Sequence, residues 1–291
     1  MSRIARAWRA GLGALLALAL AGQAAAQPPV WVVRDKDSEL VLFGSVHVLP
    51  QRLAWAPPAL TAALKDADDL WFELPIDPAT EAETSQLATA NGVLAPDESL
   101  FRLLGPKDAA RLQALAATYG VSTVLLDRLK PWLAEIALAS GAYRKAGADA
   151  ASGVEEAISA MAPKARREAF ETPAEQIGLL SGGSLEEQLI SLRETMKELE
   201  DTPDEFKVLV KAWVDGDLAA LTHEALDPMR KTTPDLFRRL VSDRNARWTR
   251  VLDARLKGHG RTVVVVGVGH LLGPGGVPER LRALGYSVTG P

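Results

Sequence analysis

Two of the four histidines, His47 and His270, share one setting. Each follows a strongly apolar run, a glycine and two further residues: Phe43-Gly44-Ser45-Val46-His47 and Val266-Gly267-Val268-Gly269-His270. Imidazole serves as a base, a proton shuttle or a metal ligand near neutral pH. Glycine at a strand exit lets backbone or ligand come close, which makes Gly44 and Gly267 supporting residues. The third candidate is Glu73. It interrupts Leu70-Trp71-Phe72-Glu73-Leu74, where a charge is costly unless it is paired or bound to metal. Two His and one Glu form a ligand set for a hydrolytic divalent ion with one position left for water. On this reading His47, Glu73 and His270 are catalytic and hold the metal, with Glu73 a ligand or a base and one histidine able to act as base. Taken singly, each residue has a plain alternative: a structural histidine after a strand, or a carboxylate in a strand-edge salt bridge.

Arg244 lies on an apolar i+4 row through Leu236, Leu240, Trp248 and Leu252, next to Asn245. A guanidinium there must snorkel to water or pair with a buried carboxylate. Glu171, in Phe170-Glu171-Thr172, is a candidate partner, and Gln176 one turn later could orient it. His223 and His259 read as exposed. Trp132, Trp213 and Trp248 read as core.

These groups need elements to hold them. Residues 30–34 and 40–44 are β-rich runs around the polar turn Asp35-Lys36-Asp37-Ser38, which predicts a hairpin. The second run is apolar throughout, as in a strand buried on both faces. A helix is expected over 57–67, then a short strand 69–74 stopped by Pro75. The middle, about 106–257, reads as helical, with helices at 106–119, 131–143, 174–180 and 235–257. Ser184 to Glu187 and Thr202 to Glu205 fit the capping-box pattern. Thr262-Val263-Val264-Val265-Val266-Gly267 predicts a central strand, followed by a helix at 278–284 and a last strand at 286–289. The expected class is α/β (mixed α+β): a central mixed sheet built from N- and C-terminal strands, with a large helical middle.

Composition narrows the role. The first 26 residues have the form of a signal peptide: Arg3, Arg6 and Arg9, an apolar run from Leu12 to Ala21, then Ala24-Ala25-Ala26. That run is shorter than the ~20 residues of a membrane span. An exported protein with no stable span after cleavage is expected, periplasmic if the host is Gram-negative, with residues 27–291 as its folded domain. Losing three Arg and no acid moves the formal charge from −4 to −7, which disfavours nucleic acid as a partner. There is no Cys, hence no disulfide, thiolate metal site or Cys nucleophile. Gly267-Val268-Gly269-His270-Leu271-Leu272-Gly273 imitates a dinucleotide fingerprint, but no strand with an acidic residue has room to follow it.

The order and spacing of these motifs resemble the TraB/GumN family, relatives of the Tiki metallopeptidases. The pieces are Leu42 to Leu49, Trp71-Phe72-Glu73-Leu74, Lys130-Pro131-Trp132-Leu133, Phe170 to Gln176, Arg244-Asn245 and Val266 to Gly273. Phe170 stands where the resemblance leads us to expect a small or aliphatic residue. The resemblance implies an α/β fold whose two Gly-x-x-His motifs and glutamates converge. It points to His47, Glu73 and His270, supported by Glu171, Gln176, Arg244 and Asn245, with a Mn- or Co-type ion, or Zn. The expected function is an exported metal-dependent hydrolase acting on a peptide or amide bond of an envelope substrate. Two alternatives stand beside it: a non-catalytic envelope module binding peptide or exopolysaccharide, and a metal-independent esterase-like hydrolase in which His47 activates water.

Overall fold

The two strands that lead to His47 and His270 are largely buried. In the computed structural model, which describes residues 27–149 and 153–291, the signal-like segment 1–26 lies outside the described residues. The strands are β1 (Val30–Arg34), β2 (Ser38–Ser45), β3 (Leu49–Pro50), β4 (Asp69–Phe72), β5 (Ala148–Asp149), β6 (Arg166–Ala169), β7 (Gly260–Gly267) and β8 (Ser287–Thr289). Six form one sheet in the order β6-β4-β7-β2-β1-β8; β3 and β5 pair separately. The fold is therefore the expected mixed α/β class, a mixed central sheet with a large helical region.

The hairpin β1–β2 is antiparallel, and β7 occupies the middle of the sheet, as its run of valines predicts. Val263 to Val266 are all at most 1% exposed. Burying each such side chain stabilises the fold by about 1.5–3 kcal/mol relative to leaving it in water. β2 and β4 flank β7 and run parallel to it; β6 runs parallel to β4. Four neighbouring strands thus end at one edge of the sheet.

Two hydrophobic cores are present. One joins the sheet to helices that include Glu205–Asp215 and Asp243–Leu256, through Phe43, Phe72, Trp213 and Trp248. The other is built from helices, with Leu100, Leu112, Leu138 and Met196 among its buried residues. The helix Pro106–Tyr119 shows why spacing was informative there. Leu112, Leu115, Ala116 and Tyr119 face inward, and Gly120 closes it in the left-handed conformation (φ 65°) that glycine adopts without a Cβ clash.

The structure corrects two local expectations. Thr202 does not open a capping box; it ends the helix Leu185–Asp201, and the next helix starts after Asp204. The complete box is at Thr172 and Glu175, where side chain and backbone bond reciprocally at the head of the helix Pro173–Ser181. The long helix expected over 235–257 is interrupted by a π-helical turn, Arg238–Ser242, just before Asp243–Leu256. Two elements carried no readable pattern. β6 is mostly exposed and charged, and the helix Pro78–Gly92 is rich in Ala, Thr and Glu without an apolar stripe.

Candidate functional site

Parallel pairing is what brings the two Gly-x-x-His motifs together. Gly44 lies opposite Val266 and Ser45 opposite Gly267 in the β2–β7 register. The strands exit side by side, and His47 and His270 follow at the same sheet edge. His270 closes a short 3-10 turn, Val268–His270. Gly44 permits this approach: a Cβ there would lie 2.7 Å from Val268 Cγ2 and 3.0 Å from its Cα. The Trp213 indole N–H donates to the Gly44 carbonyl at 2.7 Å and holds the strand end in place.

The carboxylates arrive in the same way. Phe72 pairs with Val265 and Ala169, so Glu73 and Glu171 lie just past the ends of β4 and β6. The Glu171 amide donates to the Glu73 carbonyl at 3.0 Å, continuing the ladder past the strands. Reactive groups at the carboxyl ends of parallel strands are a general feature of open α/β sheets.

The predicted trio surrounds Gly267. A Cβ on that glycine would lie 3.3 Å from Glu73 Oε1, 3.6 Å from His47 Nε2 and 3.8 Å from His270 Cδ2. Any larger residue would project into the space the three side chains share. Glu73 Oε1 also accepts from the Gly267 amide at 2.7 Å and lies 3.9 Å from His270 Nε2. His47, Glu73, Glu155 and Gln176 line an adjoining cavity of about 190 Å³.

Arg244 ties the buried half of the site together. Its Nε and Nη2 donate to the two oxygens of Glu171, at 2.8 and 2.9 Å. Nη2 also donates to Glu73 Oε2 at 2.6 Å. Nη1 donates to the Leu240 carbonyl, in the π turn, and to His270 Nε2 at 3.0 Å. Arg244 and Glu171 therefore form the pair inferred from the apolar helix row. Glu171, whose side chain is 0% exposed, further accepts from Arg247 and from the Trp248 indole. Gln176 lines the cavity, and among the described residues the Glu171 carboxylate accepts from Arg244, Arg247 and Trp248. Asn245 acts on His270: its Oδ1 lies 2.6 Å from Nδ1, while its Nδ2 donates to the Gly275 carbonyl. That second bond fixes Oδ1 as the acceptor, so His270 carries its proton on Nδ1 and accepts Arg244 at Nε2.

The electrostatics follow from these contacts. Burial pushes His270 down to about 3 despite the pull of Glu73, and the Arg244 and His47 charges act in the same direction as burial. It is neutral near pH 7. Burial alone would raise Glu73, but the positive field of His270, Arg244 and His47, with the Gly267 amide, holds it at about 2. With His270 neutral, Arg244 and His47 supply that field near neutrality. His47 differs again. Its side chain is 68% exposed, and the bond from Nδ1 to Glu155 Oε1, at 3.2 Å, lifts it to about 9 against desolvation.

Trp248 is core, at 1% exposed, as expected, and it is also part of the site: its ring lies 4.4 Å from that of His270. Phe170 stacks on it at 4.9 Å and contacts Trp71 at 5.1 Å, which gives the aromatic residue at 170 a packing role. Trp132 and Trp213 are buried as expected, and His223 and His259 are exposed. Sequence reading missed Glu155, Ser45 and Arg247. Glu155 sits in the first turn of the helix Val154–Met161, where acids are common for reasons of helix dipole alone. It accepts from the Ser45 hydroxyl at 2.7 Å as well as facing His47.

The donor set suits a divalent ion in its chemistry. Each imidazole has Nδ1 tied to an acceptor, the arrangement that presents Nε2 to a metal, and Glu73 adds a carboxylate. As the side chains stand, Arg244 engages both His270 Nε2 and Glu73. No cluster of three or more His, Cys, Asp or Glu is drawn together to hold an ion among the described residues.

Known proteins place the chain. The model of the TraB/PrgY/gumN family matches residues 29–290, and the chain belongs to that family. It is 24% identical over 265 residues to an uncharacterized protein of Treponema pallidum (strain Nichols), covering 87% of this chain and 79% of that protein. It is also 24% identical over 265 residues to the uncharacterized protein YbaP of Escherichia coli (strain K12), covering 91% and 96%. No solved structure matches the chain significantly.

Proposed function

We propose that this member of the TraB/PrgY/gumN family is a hydrolase of peptide or amide bonds whose reacting centre is the hollow around Gly267. The observation that carries the reading is the convergence of His47 Nε2, Glu73 Oε1 and the His270 ring on that glycine, beside an accessible cavity. The cavity is smaller than the roughly 300–1,000 Å³ of drug-sized sites, which suits a short segment of an extended substrate. His47, Glu73 and His270 are the residues that would hold a divalent ion, Mn, Co or Zn. Such an ion would supply Lewis-acid activation of water and of a carbonyl near neutral pH.

The protein's own groups have distinct tasks in this reading. Glu155 and Asn245 orient the two imidazoles through Nδ1. Glu73, ionised across the physiological range, provides a fixed negative charge; so low a carboxylate is a weak base, which favours the ligand role over the base role. Arg244 holds Glu73 and Glu171 in register. His47 is the exposed member and meets substrate or water first.

A second reading is favoured by one contact, Arg244 Nη1 on His270 Nε2. If that bond persists in the working enzyme, His270 is not a ligand, and the Glu155–His47 pair acts on water without metal, with His47 a base once it is deprotonated as pH rises toward about 9. Protein purified without chelators separates the two. The metal reading expects about one Mn, Co or Zn per chain, lost in both His47→Ala and His270→Ala while thermal unfolding stays cooperative. The second expects turnover that survives EDTA. Absence of metal, together with a peptide library left intact after Mn or Co addition, would overturn the hydrolase proposal in favour of a binding module. Export is proposed from the sequence of residues 1–26. Among the described residues no helix is long and apolar enough to cross a membrane.

A further inference from the structure

A second cavity, about 330 Å³, lies among the helices of the middle region. Its wall is apolar and aromatic in part, with Trp132, Ile136, Tyr143 and Leu209. Its charged groups are nearly all of one sign. Glu135, Glu194, Glu198, Glu205 and Glu224 line it, with Glu187. The single cation in that wall, among the described residues, is Arg239. It is already engaged: Nη2 donates to Glu187 Oε1 at 2.5 Å and Nε to the Leu179 carbonyl. Glu135, Glu198 and Glu205 also share an adjoining space of about 200 Å³ with Tyr143.

An independent feature singles out the same place. Among the described residues, two buried side-chain atoms lack a hydrogen-bond partner, Trp132 Nε1 and Gln188 Oε1, and both residues line this cavity. Trp132 is only 5% exposed. The Gln188 amide nitrogen donates to the carbonyls of Ser181 and Gly183, which leaves Oε1 as the unused acceptor. A buried group left unmatched costs about 1–3 kcal/mol, and in a native structure such groups mark a missing water, ion or ligand. The carboxylates carry a similar imbalance. Burial first, then Glu205, Glu194 and Glu135, pushes Glu198 up to about 7; burial also raises Glu135 and Glu205. An entering cation would offset that crowding.

We propose that this cavity binds an alkylammonium group, its charge among Glu135, Glu198 and Glu205 and its methylenes against Trp132, Tyr143 and Leu209. Gln188 Oε1 accepts a further N–H, and Tyr143 offers a ring face to the cation. The alkylammonium belongs either to a lysine side chain of a peptide or to a free diamine. The Trp132 N–H distinguishes them, because it needs an acceptor that a peptide carbonyl supplies and a diamine lacks. This inference does not depend on the hydrolase reading, and its test reads binding, not turnover.

The test is calorimetric titration of the full chain with cadaverine, with Nα-acetyl-lysine methylamide and with Nα-acetyl-norleucine methylamide as the uncharged control. One ammonium ligand should bind per chain, and the norleucine compound should bind at least about tenfold more weakly. Glu135→Gln with Glu198→Gln should weaken the ammonium ligands at least about tenfold; should the pair fail to unfold cooperatively, Glu198→Gln alone serves. A loss confined to the lysine compound in Trp132→Phe assigns the peptide source, and tight cadaverine binding indifferent to that change assigns the free amine. The proposal is overturned if neither ammonium ligand binds up to about 10 mM, a free energy near −3 kcal/mol. It is equally overturned if norleucine binds as well as lysine, or if the glutamate substitutions change nothing.

Discussion

Two regions of this molecule gather carboxylates away from bulk water, and they resolve the cost in opposite ways. At the sheet edge, Glu73 and Glu171 meet Arg244 and Arg247 in direct bonds, and Glu73 stays ionised with its carboxyl held at about 2. In the helical cavity, among the described residues, the wall around Glu135, Glu198 and Glu205 holds only the already engaged Arg239 as a cation, and burial with neighbouring glutamates raises Glu198 to about 7 despite Lys197. Burial opposes ionisation in both places; the difference is the partner. The matched region is a hydrogen-bonded constellation of opposite charges, whereas the unmatched one is an environment that a positive ligand would complete.

The comparison is broken or sharpened most by removing the shared cation. Arg244→Leu leaves Glu73 and Glu171 buried without their main partner, and should lower unfolding free energy at pH 7 by about 3–5 kcal/mol. Glu73 has a folded value depressed to about 2. Its contribution is present above the unfolded value of about 4.3 and is lost as pH falls through about 2. The gap between wild type and variant should therefore narrow in urea titrations below about pH 4. An equal gap at pH 3 and pH 7 would mean that packing, not charge, makes Arg244 important.

Glu171→Gln is the next test. It keeps the shape but gives a hydrogen-bond donor to a site where Arg244, Arg247 and Trp248 all donate. A loss of about 2–3 kcal/mol is expected, the range for bonds to a charged group, again from urea unfolding. A change below 0.5 kcal/mol, about the noise of surface substitutions, would show that Glu171 is not the anchor of the network.

The smallest effect should have the opposite sign. Glu198→Gln removes a carboxylate from the crowded cavity and should stabilise the protein by about 0.5 kcal/mol above pH 7, allowing for solvent screening. The raised folded value means that the wild-type penalty is complete above about 7 and absent below the unfolded value near 4.3. The gain should accordingly vanish in unfolding measured at pH 4. A loss at pH 8 would indicate that a cation already satisfies Glu198.

Much of the candidate site was legible because scarce, costly residues stood in apolar surroundings. His47 and His270 each follow a Gly at the end of a buried strand, Glu73 breaks an apolar run, and Arg244 sits on a buried helix row. Each is a local anomaly with a physical cost, and such anomalies need no partner to be noticed. Glu155 and Arg247 had no such signature, since both lie on partly exposed helix faces where charge is ordinary. The strand β6 was hidden for the same reason: an edge strand with exposed arginines lacks the apolar pattern of a buried one. Gln176, near Glu171 in sequence, lies toward the cavity in space, a placement that spacing alone did not give.

The amino-acid sequence by itself determined which segments become buried strands, which helices close over them, and which polar groups would be expensive if left alone. Periodicity and local chemistry act over a few residues, so one chain is enough to read them. Only the tertiary structure decided that β6, β4, β7 and β2 lie side by side and parallel, and hence that their four reactive ends meet. It also decided that one guanidinium reaches Glu73, Glu171 and His270 at once. Those facts depend on strand order and on contacts between residues up to 222 positions apart along the chain, which no local pattern encodes.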